Sequence, residues 1–503
     1  MRKIFVSTGL AITTLAFSAC AAQTPLVQLT QSGSGVRLRY EIDAPDQRDG
    51  SARQITDGTE IALLRDGDPE AFTIDVPFEA RKAMYPIVAD VGDQAWFVYA
   101  PAVLPECLGA SVIDIRTDRG VTRTACRNGS YVVIPRTDEP LTDTLSAKNS
   151  PIAQAIGSAS ASTLQSLERR LGSPSAVSRF IGVTVTPNAP SGIVAHVDRS
   201  GTVLFEVRPA FEAALNEDVL RTQVRPLLRH ELFHRWNMSE TAASANLPVW
   251  VYEGAAEYVG GLMSLEEKDF SPVEFNWLLG ARLNRCLEAV GDGGLEKIGR
   301  GRVEDYDCGA IASWLLDLDL RRHGADHYEF WRALIGRSAS TTGKGYDWPA
   351  MEAVFEASGW NAPTWRLFVF GGKVEALAEA MNAAGARVTY EGAAEDYRKA
   401  LLQPLLAANC TSRSYGYFDD PSGVTLDVDT RCPTLPSQAR IASVAGFDVR
   451  SASLQAYEAA RNACEQQDQI EVVANDARIA LKCARFEAPK ASFQVLDSGV
   501  APQ

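Results

Sequence analysis

Residues 230–234 read His-Glu-Leu-Phe-His, and this spacing constrains the fold more than any other feature of the chain. Histidines four apart on a helix leave the same face, so both rings can approach one ion at about the 2.0 Å of a Zn–N bond. Glu231 lies beside them, placed to take a proton from water without being a ligand. A third ligand must come from another element. Leu247 to Tyr258 reads as a second helix, with Asn246 placed to cap it and Pro248 in its first turn. Residues 235–252 separate His234 from Glu253, enough chain for this helix to fold back and deliver a carboxylate while a fourth position stays open. Gly254, Ala255 and Ala256 are small, which lets the two helix backbones approach closely. The chain has five histidines, His196, His230, His234, His323 and His327, so a pair at ligand spacing is not what a His-rich sequence would scatter. The plainer alternatives are polar histidines on an ordinary amphipathic helix and a solvated helix carboxylate at Glu253.

The pattern resembles the gluzincin metallopeptidases, in which His-Glu-x-x-His is followed after eighteen residues by Glu. Trp250-Val251-Tyr252-Glu253-Gly254-Ala255-Ala256-Glu257-Tyr258 is similar to the Trp-x-x-Glu-Gly-Phe-x-x-Tyr run of alanyl and leucyl aminopeptidases. Trp236-Asn237 resembles the His-x-Trp-Asn continuation of the glycyl-aminopeptidase-like peptidases that also carry a PDZ domain. The resemblance covers about residues 225–260. It implies one zinc ion on His230, His234 and Glu253, with Glu231 as base.

Tyr306-Asp307-Cys308-Gly309-Ala310 is similar to the Tyr-x-x-Gly-Ala segment whose tyrosine supports the tetrahedral intermediate in the aminopeptidase branch, which makes Tyr306 a candidate for that role. A tyrosine packing a helix start is the alternative. Glu257, one turn beyond Glu253, is placed to bond a ligand histidine, meet a substrate amine, or lie on a helix surface. Asn237 falls on the ligand face and can fix loop geometry there. The Gly-x-Met-Glu-Asn strand that anchors a free amino terminus in the aminopeptidase branch is missing. Gly201 to Val207 stands in its place as a plausible edge strand for an extended peptide, which leaves exopeptidase specificity open.

Residues 1–19 read as a bacterial export signal: Arg2 and Lys3, an apolar run from Ile4 to Phe17, then small residues. Phe17-Ser18-Ala19-Cys20 resembles a lipoprotein box with Cys20 as the lipidated residue. Cleavage after Ala21, releasing a soluble protein, is the alternative. The implied location is the periplasm or an outer-membrane anchor. The other eight cysteines, Cys107, Cys126, Cys286, Cys308, Cys410, Cys432, Cys464 and Cys483, suit disulfides in such a compartment, and pairing in chain order closes four loops of about 20 residues. None has zinc-site spacing. His323 and His327 repeat the four-residue spacing, but Gly324 interrupts them and no acidic ligand follows in register.

A chain of 503 residues, 46% hydrophobic, accommodates two or three cores. Its net charge of −14, without a basic run, argues against nucleic acid as a partner. The expected class is multidomain α+β: a β-rich domain over 20–155, a flexible boundary at Gly157–Ser162, and a thermolysin-like zincin catalytic domain over 164–397 with a mostly helical lower half. That domain begins with a helix from Leu164 to Leu171 and strands over 180–185 and 192–197. In residues 400–503, Ala439 to Val449, a helix from Ala456 to Cys464 and Ile470-Glu471-Val472-Val473 resemble the second half of a PDZ domain, although its carboxylate loop is not recognisable. The expected activity is zinc-dependent hydrolysis of peptide bonds in peptide or protein substrates of the cell envelope. A catalytically silent scaffold or peptide-binding lipoprotein is the alternative.

Overall fold

The computed structural model describes residues 26–500, apart from 33–34, 42–62, 65–70, 79, 83–84, 100–111, 119, 126–130, 138–140, 147–148, 175–177, 239–246, 292–293, 296–302, 341–345, 392–393, 412–415, 421–422, 428–429, 437 and 488–491. The expectations for the export signal, Cys20, the Cys107–Cys126 pair and Asn246 fall outside these residues.

The amino-terminal region is built of β1 (Leu26–Ser32), β2 (Gly35–Glu41), β3 (Leu63–Leu64), β4 (Ala71–Pro77), β5 (Arg81–Lys82), β6 (Tyr85–Pro86), β7 (Val88–Asp90), β8 (Ala95–Tyr99), β9 (Val112–Thr117), β10 (Gly120–Ala125) and β11 (Tyr131–Pro135). A six-stranded sheet runs β10-β9-β1-β2-β4-β3, a three-stranded sheet runs β11-β8-β7, and β5 pairs β6. Along β2, Val36 and Leu38 are buried on one face, as period-two patterning requires.

The next sheet is formed by β12 (Thr144–Ser146), β13 (Ile181–Val185), β14 (Ile193–Val197) and β15 (Val203–Val207) in the order β12-β13-β15-β14. Phe97 of β8 packs with Leu145 and Leu204 of this sheet, and a Cβ at Gly182 would collide with the Phe97 ring. Strands β12, β13 and β15 are parallel, while β14 is the antiparallel edge. The stretch expected at the edge, Gly201–Val207, is therefore interior. All five residues of β15 are buried, the signature of a strand covered on both faces, and β14 holds the exposed margin.

Gly157–Ser162 is not a boundary but the middle of helix α1 (Pro151–Leu171). Ser150 caps it, and Ile152, Ile156, Thr163 and Leu167 bury one face at helical spacing. Ser158, Ser160 and Ser162 fold their hydroxyls back onto carbonyls three residues earlier, which satisfies them without breaking the helix. The helical half follows: α2 (Arg225–Asn237), α3 (Val249–Glu266), α4 (Pro272–Val290), α5 (Val303–Arg321), α6 (His327–Ser340), α7 (Trp348–Ser358), α8 (Pro363–Val369) and α9 (Val374–Ala384). One continuous core joins these helices to β13 and β15.

Residues 394–486 form a unit with its own core, including Leu401, Leu405, Val424, Ile441, Tyr457 and Val472. It holds α10 (Ala394–Asn409), α11 (Ser453–Cys464) and a sheet ordered β17-β18-β19-β21-β22, with β20 paired to β19. These strands are β17 (Tyr417–Asp420), β18 (Gly423–Leu426), β19 (Arg440–Val444), β20 (Phe447–Asp448), β21 (Gln469–Ala474) and β22 (Ala477–Lys482). The unit is bracketed by β16 (Arg387–Glu391) and β23 (Ser492–Asp497), which pair with each other. Strand β23, read from sequence as part of the tail, instead lies on α4, where Asn276 and Asn284 bond its backbone and Phe493 and Val495 join the main core. Disulfides join Cys286 to Cys308, Cys410 to Cys432 and Cys464 to Cys483. No helix among the described residues is long and apolar enough to cross a membrane.

Candidate metal centre

Helix α2 is buried around its whole circumference. Leu228, Leu232 and Trp236 fill the face toward the core, while Arg229, His230, Glu231, His234, Arg235 and Asn237 are buried as well. Each buried charge needs a partner. Arg229 meets Ser264 and Asp269, and Arg235 donates to the carbonyls of Gly201 and Phe180. Helix α3 begins at Val249 with Pro248 as its N-cap residue, one position outside the first turn.

Three atoms converge between the helices. His230 Nε2 and His234 Nε2 are 3.1 Å apart, and Glu253 Oε2 lies 3.3 Å and 3.2 Å from them. A tetrahedral ion with arms of about 2.0 Å holds its ligand atoms about 3.3 Å apart, so this triangle is one face of such a tetrahedron. The hydrogen bonds behind the rings reinforce the fit. His230 Nδ1 is 2.9 Å from Glu257 Oε2 and His234 Nδ1 is 2.8 Å from Asn237 Oδ1, and the Asn237 amide is fixed by donating to Tyr252 O. Both acceptors require an Nδ1–H. Each Nε2 is then left with its lone pair aimed at the other and at a carboxylate, a donor set that calls for a cation.

The electrostatics agree. Burial works against charge on His230, but the carboxylates of Glu253 and Glu257 outweigh it, so the ring favours positive charge, which a cation on Nε2 supplies in place of a proton. Burial likewise pushes the Glu253 carboxyl up, and the two imidazoles overcome this to hold it well below the ordinary carboxylate range. Glu257 is pulled down to about 2 against burial, by Arg282 and His230. Arg282 in turn reaches Asp307, which also pairs with Arg285. Glu231 is buried beside the triangle, and burial raises its carboxyl, partly countered by His230 and His234.

Gly254 and Gly309 set the position of Tyr306. A Cβ on either would fall within the backbone of the other's helix, so α3 and α5 cross in contact there. Tyr306 lies one turn before that crossing, with its ring 6.1 Å from His230 and stacked on it. It is 37% exposed. Helices α3 and α2 approach at a different glycine, Gly260, which faces Pro226 O and His230. Of the small residues expected to bring the ligand helices together, Gly254 thus faces α5 instead, and Gly260 is a glycine at the α2 contact.

Edge strand β14 offers Ile193, Val194, Ala195, His196 and Val197, with no carboxylate among them. Glu206 of β15 is 1% exposed and is held by Arg81 and by His196, 3.1 Å away. His323 and His327 do not form a site. His327 is buried and accepts from Trp331, His323 faces the backbone of Asn361, and among the described residues His230, His234 and Glu253 are the group able to hold an ion. One residue brought to the sheet edge had no sequence signal: Tyr85, far upstream, whose ring meets His196 of β14 at 5.6 Å.

No family model matches the chain, and no curated protein does. Among solved structures, an aminopeptidase N family protein from Idiomarina loihiensis superposes with a TM-score of 0.55 at 13% identity, covering 95% of this chain and 99% of that one. A two-domain M1 zinc metallopeptidase mutant bound to L-tryptophan gives 0.39 at 14% identity over 69% of this chain and 94% of that one. An M1 zinc metallopeptidase from Deinococcus radiodurans gives 0.38 at 14% identity over 70% and 96%. The last two superpositions are too loose to carry an argument. The first shows that the chain shares the fold of that protein from its β-rich amino-terminal part through the helical region.

Proposed function

We propose that the protein is a zinc-dependent peptidase. The observation that carries this reading is the triangle of His230 Nε2, His234 Nε2 and Glu253 Oε2, with Glu231 beside it and the Tyr306 ring stacked on His230. Zinc held there supplies a Lewis acid that polarises the scissile carbonyl and makes water acidic enough to react near pH 7. Glu231, its basicity raised by burial, takes the proton of the attacking water and hands it to the leaving amine. The Tyr306 phenol donates to the oxygen on which charge develops. Strand β14 pairs with the backbone of an extended peptide.

We assign the activity to peptides irrespective of a free amino terminus. The edge strand carries no acid, and Glu206 and Glu257 are both committed to arginine and histidine partners. Acetylated and free peptides should be cleaved at comparable rates, and strict dependence on the amine would show an aminopeptidase instead. An envelope location with Cys20 as anchor rests on the leader sequence, and a PDZ-like domain over residues 400–503 rests on their sequence pattern. The central test is Glu231→Gln. It should retain one zinc per chain by metal analysis and lose about 10²- to 10⁴-fold in turnover. Chelator-insensitive cleavage, or full activity in this variant, overturns the reading; no cleavage of a mixed peptide library by the zinc-loaded wild type would point to a scaffold.

A further inference from the structure

The β5–β6 hairpin of the amino-terminal region packs on edge strand β14, which itself lies against helix α2. Its β5 side is fastened by Arg81, which bonds both oxygens of Glu206 in the interior strand of the catalytic sheet. Its β6 side carries Tyr85, whose ring stacks on Tyr99 at 4.8 Å, lies 6.3 Å from Tyr131, and meets His196 of edge strand β14 at 5.6 Å. Tyr131 is itself held by its hydroxyl on Pro86 O and by its backbone on Asp198, in the turn between β14 and β15. The hairpin therefore cannot drift from the sheet edge without breaking a buried ion pair and an aromatic stack. Tyr85 is only partly buried, and among the described residues no hydrogen bond occupies its hydroxyl.

We propose that Tyr85 is a substrate-contacting residue of the metal centre, its phenol donating a hydrogen bond to a backbone carbonyl of the peptide bound along β14. The inference rests on the peptidase reading above and adds that the site is composite, completed by the amino-terminal region. Chemistry selects the ligand group. Burial, then Tyr99, Glu231, Asp198 and Glu253, hold this phenol protonated far beyond the ordinary tyrosine range, so it acts as a donor and never as a phenolate. The surrounding carboxylates repel an anionic substrate group, which leaves a neutral carbonyl as the acceptor. Tyr306 is a donor of the same kind, held protonated by burial and then by Glu253 and Glu231. The two phenols divide the work by place: Tyr306 stands over a ligand histidine, and Tyr85 stands at the strand that aligns the chain.

The test uses the full-length zinc-loaded protein. Tyr85→Phe keeps the ring and its stack and deletes only the donor. Steady-state cleavage of one peptide gives kcat and KM, and calorimetry with the same peptide in a Glu231→Gln background gives Kd without turnover. Losing one such hydrogen bond should raise KM and Kd about tenfold with kcat within about threefold, while zinc content and unfolding temperature stay as in the wild type. Tyr306→Phe should do the reverse, lowering kcat with little change in Kd. Tyr99→Phe, which supports the stack, should alter neither by more than about twofold. Unchanged Kd and KM in Tyr85→Phe, or a loss traceable to lower zinc content or stability, overturns the proposal while leaving the peptidase reading intact. A wild-type protein that neither cleaves nor binds the peptide brings down both, and that result is read before any substitution is made.

Discussion

Asn237 and Glu257 lie outside the triangle of His230, His234 and Glu253, yet by holding each Nδ1 they decide which nitrogen of each histidine faces its centre. Asn237 is 0% exposed and makes three contacts: it accepts from His234, donates to Tyr252 O, and takes the Tyr346 hydroxyl on its own carbonyl. Replacing it by alanine frees the His234 ring to rotate or change tautomer and strips Tyr252 O of its side-chain donor. Glu257→Gln keeps the shape but removes the charge that Arg282 and His230 both use. Each substitution should weaken zinc binding about 10- to 100-fold, measured by competition with a chromophoric chelator. Affinity equal to wild type in both would show that the rings are fixed by packing alone. Both residues were legible in the sequence because they lie within one helical turn of a ligand, where spacing fixes the face. Asn237 is three residues past His234 and Glu257 four past Glu253. Tyr85 was not legible, since its relation to the site exists only once β6 has been laid against β14.

Helices α3 and α5 show why spacing alone could not say which neighbours meet. Glu253 must face α2 to reach the histidines, and the next residue is rotated by roughly 100° about the axis. Gly254 therefore faces α5, and the glycine turned toward α2 is Gly260. The sequence showed that small residues permit close approach but not the partner they approach, because that depends on the direction from which a third helix arrives. Gly309→Ala should accordingly be severe. Its Cβ would occupy the place of the Trp250 carbonyl and the Gly254 backbone, so either α5 shifts, carrying Tyr306 away from His230, or the crossing opens. We expect a loss of about 3 kcal/mol or more in stability, seen as a large fall in unfolding temperature, together with lower turnover in whatever folds. Gly336→Ala is the matched comparison, an exposed helical glycine whose added methyl meets nothing. It should be neutral or stabilise by about 0.5–1 kcal/mol. Equal effects at the two positions would mean that the crossing tolerates a methyl. The Cys286–Cys308 bond ties α4 to α5 beside this crossing, and that pairing was readable because the two cysteines are near in sequence.

Over the whole chain, cores whose residues are close in sequence were legible and their long-range closures were not. The β-rich amino-terminal region and the helical half follow from local periodicity, whereas β23 carries no mark that its partner is β16, across a separate unit of nearly a hundred residues. The register of that pair has a consequence. Glu391 lies directly opposite Ser492, so the two ends of the chain segment 392–491 emerge side by side. The segment has its own core and two of the three described disulfides, and its bonds to the rest include a surface pair, Lys399 with Glu288, and the Asp396 contact to Ser492. Replacing 392–491 by a two-residue Asn-Gly turn should therefore convert β16 and β23 into an ordinary hairpin and leave the metal centre intact. Removing 492–503 is the opposite case. It uncovers Phe493, Val495 and Val500 of the main core, strips three side-chain anchors, Asn276, Asn284 and Trp314, of their backbone partners, and orphans β16. Burying three such apolar side chains is worth roughly 5–8 kcal/mol, comparable to the stability of a whole domain. The excised chain should bind one zinc with wild-type affinity and unfold near the wild-type temperature of the main core, whereas the shorter truncation, though it removes far fewer residues, should yield no soluble zinc-binding protein. If the excised chain loses zinc and the truncated one keeps it, the 392–491 segment, not the returning strand, is what holds the metal centre together.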